Sequence, residues 1–289
     1  MIDRREIEVL RSLLNAGSEM SLSALVRQFE GDTAALNAVV DSLQRDGYRF
    51  ERSIANVRLQ SEPEAVRPQS IGARLTSHTI GREVYVFRET TSTNDLVRRA
   101  GIGNAAEGVV FFAEQQTAGR GTQGRNWVSQ PNQGLWFSIL LRSRFSVNQW
   151  PVLVRMAALA AAESAEQWID SRIHIKPPND LILGGGKLAG FLLETSNAWS
   201  FQVLGIGMNV RSSPQIEGYP TSALEKFSKR PVFLAELGAQ ILNRFEDWYL
   251  RKPIESVDSA FEARVEGLGA EAGARSQEEG PKQRNRGGE

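Results

Sequence analysis

The chain has 289 residues, 41% of them hydrophobic, with 34 basic and 34 acidic side chains and no cysteine. Zero net charge removes any global field that would draw it to nucleic acid or a membrane, and the absence of thiols excludes disulfides, thiolate nucleophiles and zinc ribbons. His78 and His174 lie far apart in sequence, which argues against a metal cluster, and no signal peptide or apolar run of transmembrane length is evident, so a reducing cytoplasm and no membrane partner are expected.

Residues 1–62 read as one small unit. Ile7, Leu10, Leu13 and Leu14 have helical spacing and stop at Gly17. Ser21 is placed to cap a second helix carrying Leu22, Leu25, Val26 and Phe29. Gly31-Asp32-Thr33 opens a third, with Leu36, Val39, Val40 and Leu43. Two short alternating runs follow, at 48–50 and 56–59. Three helices and a hairpin predict a winged helix-turn-helix. Residues 63–79, with Pro63 and Pro68, read as a linker. A larger unit at 80–266 carries strand-like runs at 84–88, 108–113, 135–141, 173–176, 181–183, 190–194 and 201–206. Its helices are expected at 94–100, 152–169 and 231–250. Strands outnumber helices and do not alternate with them, which predicts an α+β mixed sheet rather than a doubly wound one. Residues 267–289 hold no aliphatic side chain larger than alanine after Leu268 and read as a disordered tail.

The segment 114–127, EQQTAGRGTQGRNW, combines Gly119, Gly121 and Gly124 with Arg120 and Arg125. Bare amides laced with guanidinium groups suggest a cradle for an anion. The letters match the dinucleotide fingerprint GxGxxG, but that motif opens a helix. Here Pro131, Asn132 and Gly134 spell a turn instead.

A second segment runs Lys176-Pro-Pro-Asn179-Asp180 and then Gly184-Gly-Gly-Lys187-Leu-Ala-Gly190. Two prolines present an Asn–Asp pair at a strand end, and the glycines turn the chain to deliver Lys187 on the next strand. A strand-borne lysine is a point charge suited to neutralising a reacting carboxylate and phosphate. Leu181 and Leu188 occupy the positions where a Walker loop needs glycine and Ser/Thr. Thr90–Asp95, TTSTND, serves either as a helix N-cap or as the polar floor of a pocket for a neutral heterocycle. Gly205-Ile-Gly-Met-Asn209 is either a small-residue core strand or a site wall.

Together these four segments resemble the biotin protein ligase family, over roughly residues 80–262, and the unit before them resembles the bifunctional form that is also the biotin operon repressor. The resemblance implies a biotin/lipoate-ligase-like catalytic domain that makes biotinyl-5′-AMP from biotin and ATP with Mg²⁺ and transfers biotin to a lysine of a biotin carboxyl carrier protein. It implies Lys187 and Arg120 as catalytic residues. For biotin it implies Ser92, Thr93, Asn94, Gln116, Gly119, Arg120, Gly121, Thr122, Lys187, Gly190 and Gly205. For the nucleotide it implies Arg125, Trp127, Asn179, Asp180, Lys187 and Asn209, with Asp180 on the metal. A homodimer, and DNA bound through residues 1–62, are the further partners it suggests.

The chain departs from the family pattern at three places. Thr122 stands where the family loop GRGRxGR has its middle arginine, and Pro177 replaces the tryptophan of KWPND. The expected architecture also lacks the family's C-terminal SH3-like domain. These departures motivate an alternative: a regulator that senses biotin or biotinyl-AMP with weakened catalysis. A lipoate-type ligase of related fold is a third option. Residues 1–60 carry eight basic and nine acidic side chains, so the cations that DNA binding needs are in deficit there.

Overall fold

The computed structural model describes residues 3–196 and 198–265. The chain begins with α1 (Arg4–Asn15), β1 (Glu19–Ser21), α2 (Leu22–Gln28), α3 (Thr33–Arg45), β2 (Arg49–Arg52) and β3 (Asn56–Ser61). Each helix starts at a side chain that accepts a backbone N–H. Asp3 accepts from Arg5 at 3.0 Å, Ser21 from Ala24 at 3.2 Å and Asp32 from Ala35 at 2.9 Å. Such caps satisfy donors that the helix itself leaves open. The apolar stripes of the helices meet in a core of Val9, Leu10, Leu13, Leu25, Leu36 and Leu43. The three strands form an antiparallel sheet in the order β1-β3-β2. β1 is an element that the sequence reading did not contain.

The segment expected as a linker is packed rather than extended. It holds α4 (Pro68–Arg74), with Pro68 in the first turn, where a missing N–H costs nothing. Ile71 is buried in the larger core and Ala73 in the smaller one. Tyr48 and Ser70 hydroxyls lie 2.7 Å apart, and Gln69 donates to Glu6 and Asp46, each at 2.9 Å.

The larger unit is a seven-stranded sheet in the order β4-β5-β6-β10-β9-β8-β7. Its strands are β4 (Glu83–Thr90), β5 (Val109–Gln116), β6 (Gly134–Leu141), β7 (His174–Lys176), β8 (Asp180–Leu183), β9 (Gly186–Glu194) and β10 (Gln202–Asn209). Only the β4–β5 pair is parallel among these neighbours, as expected for a mixed sheet. All seven predicted strands are present. α5 (Thr93–Ile102) joins β4 to β5, and α6 (Pro151–Ala165) and α7 (Leu234–Glu246) follow. Residues 254–265 form a further helix, α8, that the sequence reading did not place. The tail expected at 267–289 lies outside the described residues.

The period-two alternation of the central strands sorts their side chains between two faces. Phe137, Ile139, Leu204, Ile206 and Met208 join the core with α6 and α7. The opposite face receives Trp136, Ser138, Gly205, Gly207 and Asn209. Toward one end Leu140 and Val203 cover that face together with Val97 of α5. Toward the other end the glycines leave it hollow. No helix among the described residues is long and apolar enough to cross a membrane.

Candidate functional site

The hollow is a cavity of about 980 Å³. Its floor is the pair Gly190 and Gly207, which face each other across β9 and β10. Gly207 is paired on its other side with Trp136 of β6. Loop 117–128 covers the cavity from the β5 side, and segment 211–222 from the end of β10. The turn between β7 and β8 closes a third side.

One wall is a buried polar network. Thr93 donates its amide to Gln116 Oε1 at 2.9 Å, and Gln116 Nε2 donates to Ser129 Oγ at 2.8 Å. The Ser138 hydroxyl lies 2.7 Å from Thr93 Oγ1 and donates to Asn94 Oδ1 at 2.5 Å. Asn94 is 4% exposed, and its Nδ2 has no partner among the described residues. A buried amide donor costs free energy until something accepts from it, so this end of the cavity suits a neutral ligand carbonyl. Of the two readings of Thr90–Asp95, the pocket wall describes the structure better, because Ser92 makes no side-chain cap to α5.

The opposite end is charged. The turn at Gly184 and Gly185 places Lys187 on β9, where its ammonium meets Asp180 Oδ1 at 2.7 Å. The same ammonium lies 5.3 Å from the ring centroid of Trp127, within cation–π range. The Trp127 ring lies on the glycine floor, edge-on to Trp136 with centroids 6.2 Å apart. Its Nε1 is buried without a partner among the described residues.

Loop 117–128 is not the cradle of bare amides expected from its glycines. It is a small hairpin. Trp127 N–H donates to the Gly119 carbonyl at 2.9 Å, and Gly121 N–H to the Arg125 carbonyl at 2.7 Å. Gln123 and Gly124 form a two-residue turn with φ of 57° and 71°, closed by Arg125 N–H on the Thr122 carbonyl at 3.2 Å. Thr117 and Ala118 donate to the carbonyls of Thr90 and Thr91, each at 2.9 Å. The amides of these five residues are therefore spent on the fold. Gly119 packs inside the hairpin, where a Cβ would sit 2.4 Å from the Trp127 carbonyl, and it is not among the residues that line the cavity.

Arg120 is likewise engaged. Its Nη1 and Nη2 donate to the two Asp95 oxygens at 3.0 Å each, and Nε and Nη2 to Glu194 Oε1 at 3.2 and 3.1 Å. These hydrogen bonds hold the Asp95 carboxyl below the usual carboxylate range, against the opposing effect of its partial burial. Asn179 also plays a structural part, since its Nδ2 donates to the Phe191 carbonyl at 2.8 Å. Asn209 donates to the Lys187 carbonyl at 3.3 Å, and its Oδ1 has no partner among the described residues.

The structure thus gathers Ser92, Thr93, Asn94, Gln116, Arg120, Gly121, Thr122, Arg125, Trp127, Asn179, Asp180, Lys187, Gly190, Gly205 and Asn209 around one cavity. The sequence reading missed Gly207, although it stands two residues from Gly205 on the same strand face. It also missed Pro214, Ile216, Tyr219 and Thr221 on segment 211–222. That segment clamps Lys187: the lysine amide donates to the Pro220 carbonyl, and the Ser222 amide donates to the Lys187 carbonyl, both at 2.9 Å. No local sequence signal marks this pairing.

Residues 86–210 match the model of the Biotin/lipoate A/B protein ligase family. A bifunctional ligase/repressor BirA from Bacillus subtilis is 30% identical over 179 residues, which cover 61% of this chain and 55% of that protein. A biotin–[acetyl-CoA-carboxylase] ligase from Mycobacterium tuberculosis is 38% identical over 170 residues, covering 57% of this chain and 62% of its own length. The chain thus matches somewhat over half the length of these two relatives. In structure it is similar to a biotin protein ligase from Aquifex aeolicus in complex with biotin and ATP, with a TM-score of 0.56, 25% identity and coverage of 64% of this chain and 78% of that one. A biotin protein ligase from Leishmania major in complex with biotinyl-5-AMP has the same fold, with a TM-score of 0.56, 23% identity and coverage of 72% and 87%. The matched segment runs from β4 through β10 and carries the cavity's floor, its polar wall and Lys187, and over it the chain is similar to the biotin/lipoate A/B protein ligase family.

Proposed function

We propose that the chain is an ATP-dependent biotin–protein ligase. The observation that carries the reading is the polarity of this cavity: an amide donor at Asn94 without a partner among the described residues, an apolar glycine floor, and the Lys187 ammonium at the far end. Biotin has the matching order, with a neutral ureido ring, an apolar body and a terminal carboxylate. Asn94 and its network would hold the ureido group, and Lys187 would hold the carboxylate against the α-phosphate of ATP. A carboxylate oxygen bonds to phosphorus as the bond to pyrophosphate breaks. An acceptor lysine amine then attacks the acyl carbon, and AMP leaves. Lys187 lowers the repulsion between the two approaching anions. Trp127, Arg125 and Asn209 line the side where the nucleotide would lie. The acceptor would be the lysine of a biotin carboxyl carrier domain.

Magnesium fits this donor set in one way. Among the described residues no group of three or more His, Cys, Asp or Glu could hold a metal. Asp180 is the carboxylate beside Lys187. One carboxylate together with substrate phosphates is a usual magnesium environment, and Asp180 would fill that place. Bound there, the ion would supply further neutralisation of phosphate charge.

The test is incubation with biotin, MgATP and a carrier domain. Wild-type protein should label the carrier, and Lys187→Ala should lose about 10²–10³ in rate, as expected for removal of one preorganised charge. Adenylate formation without labelling would remove the transfer step. Calorimetric biotin binding with no pyrophosphate release would favour the sensing regulator, a reading that Thr122 at the hairpin tip supports.

For residues 3–61 the reading is a winged helix. Its helix order and three-stranded sheet support this. Two of its three sheet arginines are neutralised in place: Arg52 pairs with Asp41 at 2.6 Å, and Arg58 with Glu19 at 3.0 Å. A role in contacting protein therefore suits the unit better than phosphate neutralisation. Mobility-shift titration against promoter DNA of biotin genes decides between them.

A further inference from the structure

From the geometry around Arg120 we infer that Asp95 and Glu194 are positioning residues that latch the hairpin over the cavity by gripping the Arg120 guanidinium. This rests on the ligase reading only for the identity of the ligand retained. Three separate elements meet at the grip. Asp95 stands in the first turn of α5, Glu194 at the end of β9 and Arg120 on the first strand of the hairpin. The Asp95 contact is two-pronged, with both distances 3.0 Å, and Glu194 closes on the guanidinium from another side at 3.1–3.4 Å. Arg98 adds a second cation to Asp95 at 3.1 Å.

Two features distinguish this from an ordinary surface ion pair, which contributes little. The carboxylates are mostly covered, with side-chain exposures of 14% and 23%. Arg120 also bridges both, so releasing it would leave two anions facing each other without their shared counter-charge. A paired fork of this kind is geometrically specific as well as strong. A guanidinium so committed is not a free cation for a ligand phosphate. Arg120 therefore acts through the hairpin: it holds Gly121, Thr122 and Trp127 against the cavity, while Lys187 supplies the charge at the reacting atoms. Neither carboxylate lines the cavity, so their influence on a ligand runs through the loop.

The experiment is local hydrogen exchange in ligand-free protein, followed by biotin dissociation measured by stopped-flow tryptophan fluorescence. Asp95→Asn and Glu194→Gln should each speed exchange of the Gly121 and Trp127 amides by about tenfold while the core strands keep their protection, because local opening is set by local contacts. Arg120→Gln should do at least as much, and Arg120→Lys should recover part of the loss. Adding Asp95→Asn to Arg120→Gln should change nothing further, since both remove one interaction. Biotin dissociation should quicken in parallel. Unchanged hairpin exchange in both carboxylate variants overturns the latch, as does a uniform loss of protection across the sheet. Faster hairpin exchange in a protein that binds no biotin upholds the latch and removes the ligase reading.

Discussion

Replacing Gly207 with alanine tests whether the glycine floor is what admits Trp127 and a ligand. A Cβ built on Gly207 lies 2.4 Å from Trp127 Cε2, 2.6 Å from Nε1 and 2.8 Å from Cζ2. Nonbonded carbons rest near 3.5–4.0 Å, so the ring must move by about 1 Å or more. The strand cannot yield instead, because β10 is paired on both sides, to Trp136 and to Gly190. Overpacking of this kind costs about 1–3 kcal/mol, which for a unit of this size lowers Tm by about 2–12 °C. The displaced ring is pushed into the cavity a ligand would use, so biotin affinity should fall at least tenfold, or about 1.4 kcal/mol. Gly190→Ala should be milder. Its Cβ meets Trp127 Cζ3 at 3.0 Å and the flexible end of Lys187 at 3.2–3.3 Å. Gly103→Ala, where the nearest atoms are helix carbonyls at 3.4 Å, should change neither property. Differential scanning calorimetry, titration calorimetry with biotin and the tryptophan emission maximum read these effects. Wild-type affinity and emission in Gly207→Ala would refute both the placement of the ring and the floor it rests on.

Two other predictions concern the frame around the site. Glu246, 2% exposed, accepts the amides of His78, Thr79 and Ile80 at 2.7–3.1 Å, so Glu246→Ala should cost about 3–5 kcal/mol by leaving three covered or partly covered donors unpaired. Urea unfolding measures this, and a loss below about 1 kcal/mol would show that water reaches the turn. Asp95 is held below its ordinary value of about 3.9 by Arg120. A depressed carboxyl stabilises the folded state above its unfolded value, and the contribution is lost as pH falls through the folded value. Wild-type stability should therefore lose this contribution only below about pH 4, and Asp95→Asn should flatten that part of an acid titration. A titration of equal steepness in both proteins would count against the pairing.

The middle of the larger sheet was legible in the sequence because its strands are buried on both faces or floored by glycine. Runs such as Gly134–Leu141, buried throughout, stand out against their surroundings. Elements that derive their stability from tertiary contacts were not legible. α4 has seven residues, begins at a proline and contains Gly72, and each of these features reads as a break. What holds it is the burial of Ile71 in the larger core, together with α7, whose Asn243 accepts the amides of Thr76 and Ser77 at 2.9 and 3.0 Å. Those partners lie about 170 residues away in the chain, and no local pattern announces them. β1 is three residues long and exists only through its pairing with β3.

The site divides along the same line. Residue types carried its chemistry: a lysine after a glycine turn, amide and hydroxyl side chains before a helix, and glycines at strand positions of one parity. Residue types did not say which groups the fold itself would consume. The glycines of the 117–128 loop suggested free amides, yet the hairpin spends those of Gly121, Arg125 and Trp127 on its own rungs. Its first arginine suggested a free cation, yet two carboxylates from α5 and β9 hold it. A glycine–arginine loop can present amides and guanidinium groups to an anion, or it can bond to itself and latch to its neighbours. In this chain the second use accounts for Arg120, and on the ligase reading proposed above the anion-binding charge would fall to Lys187, fixed from both sides by Pro220 and Ser222 and facing Asp180 across the turn. The separation has a physical basis. A group that must hold a loop in place needs strong fixed partners, whereas a group that must meet a developing charge needs a partner it can exchange. Lys187 has such a partner in Asp180, a single carboxylate 23% exposed at the cavity edge, and ligand phosphates or a cation can take its place.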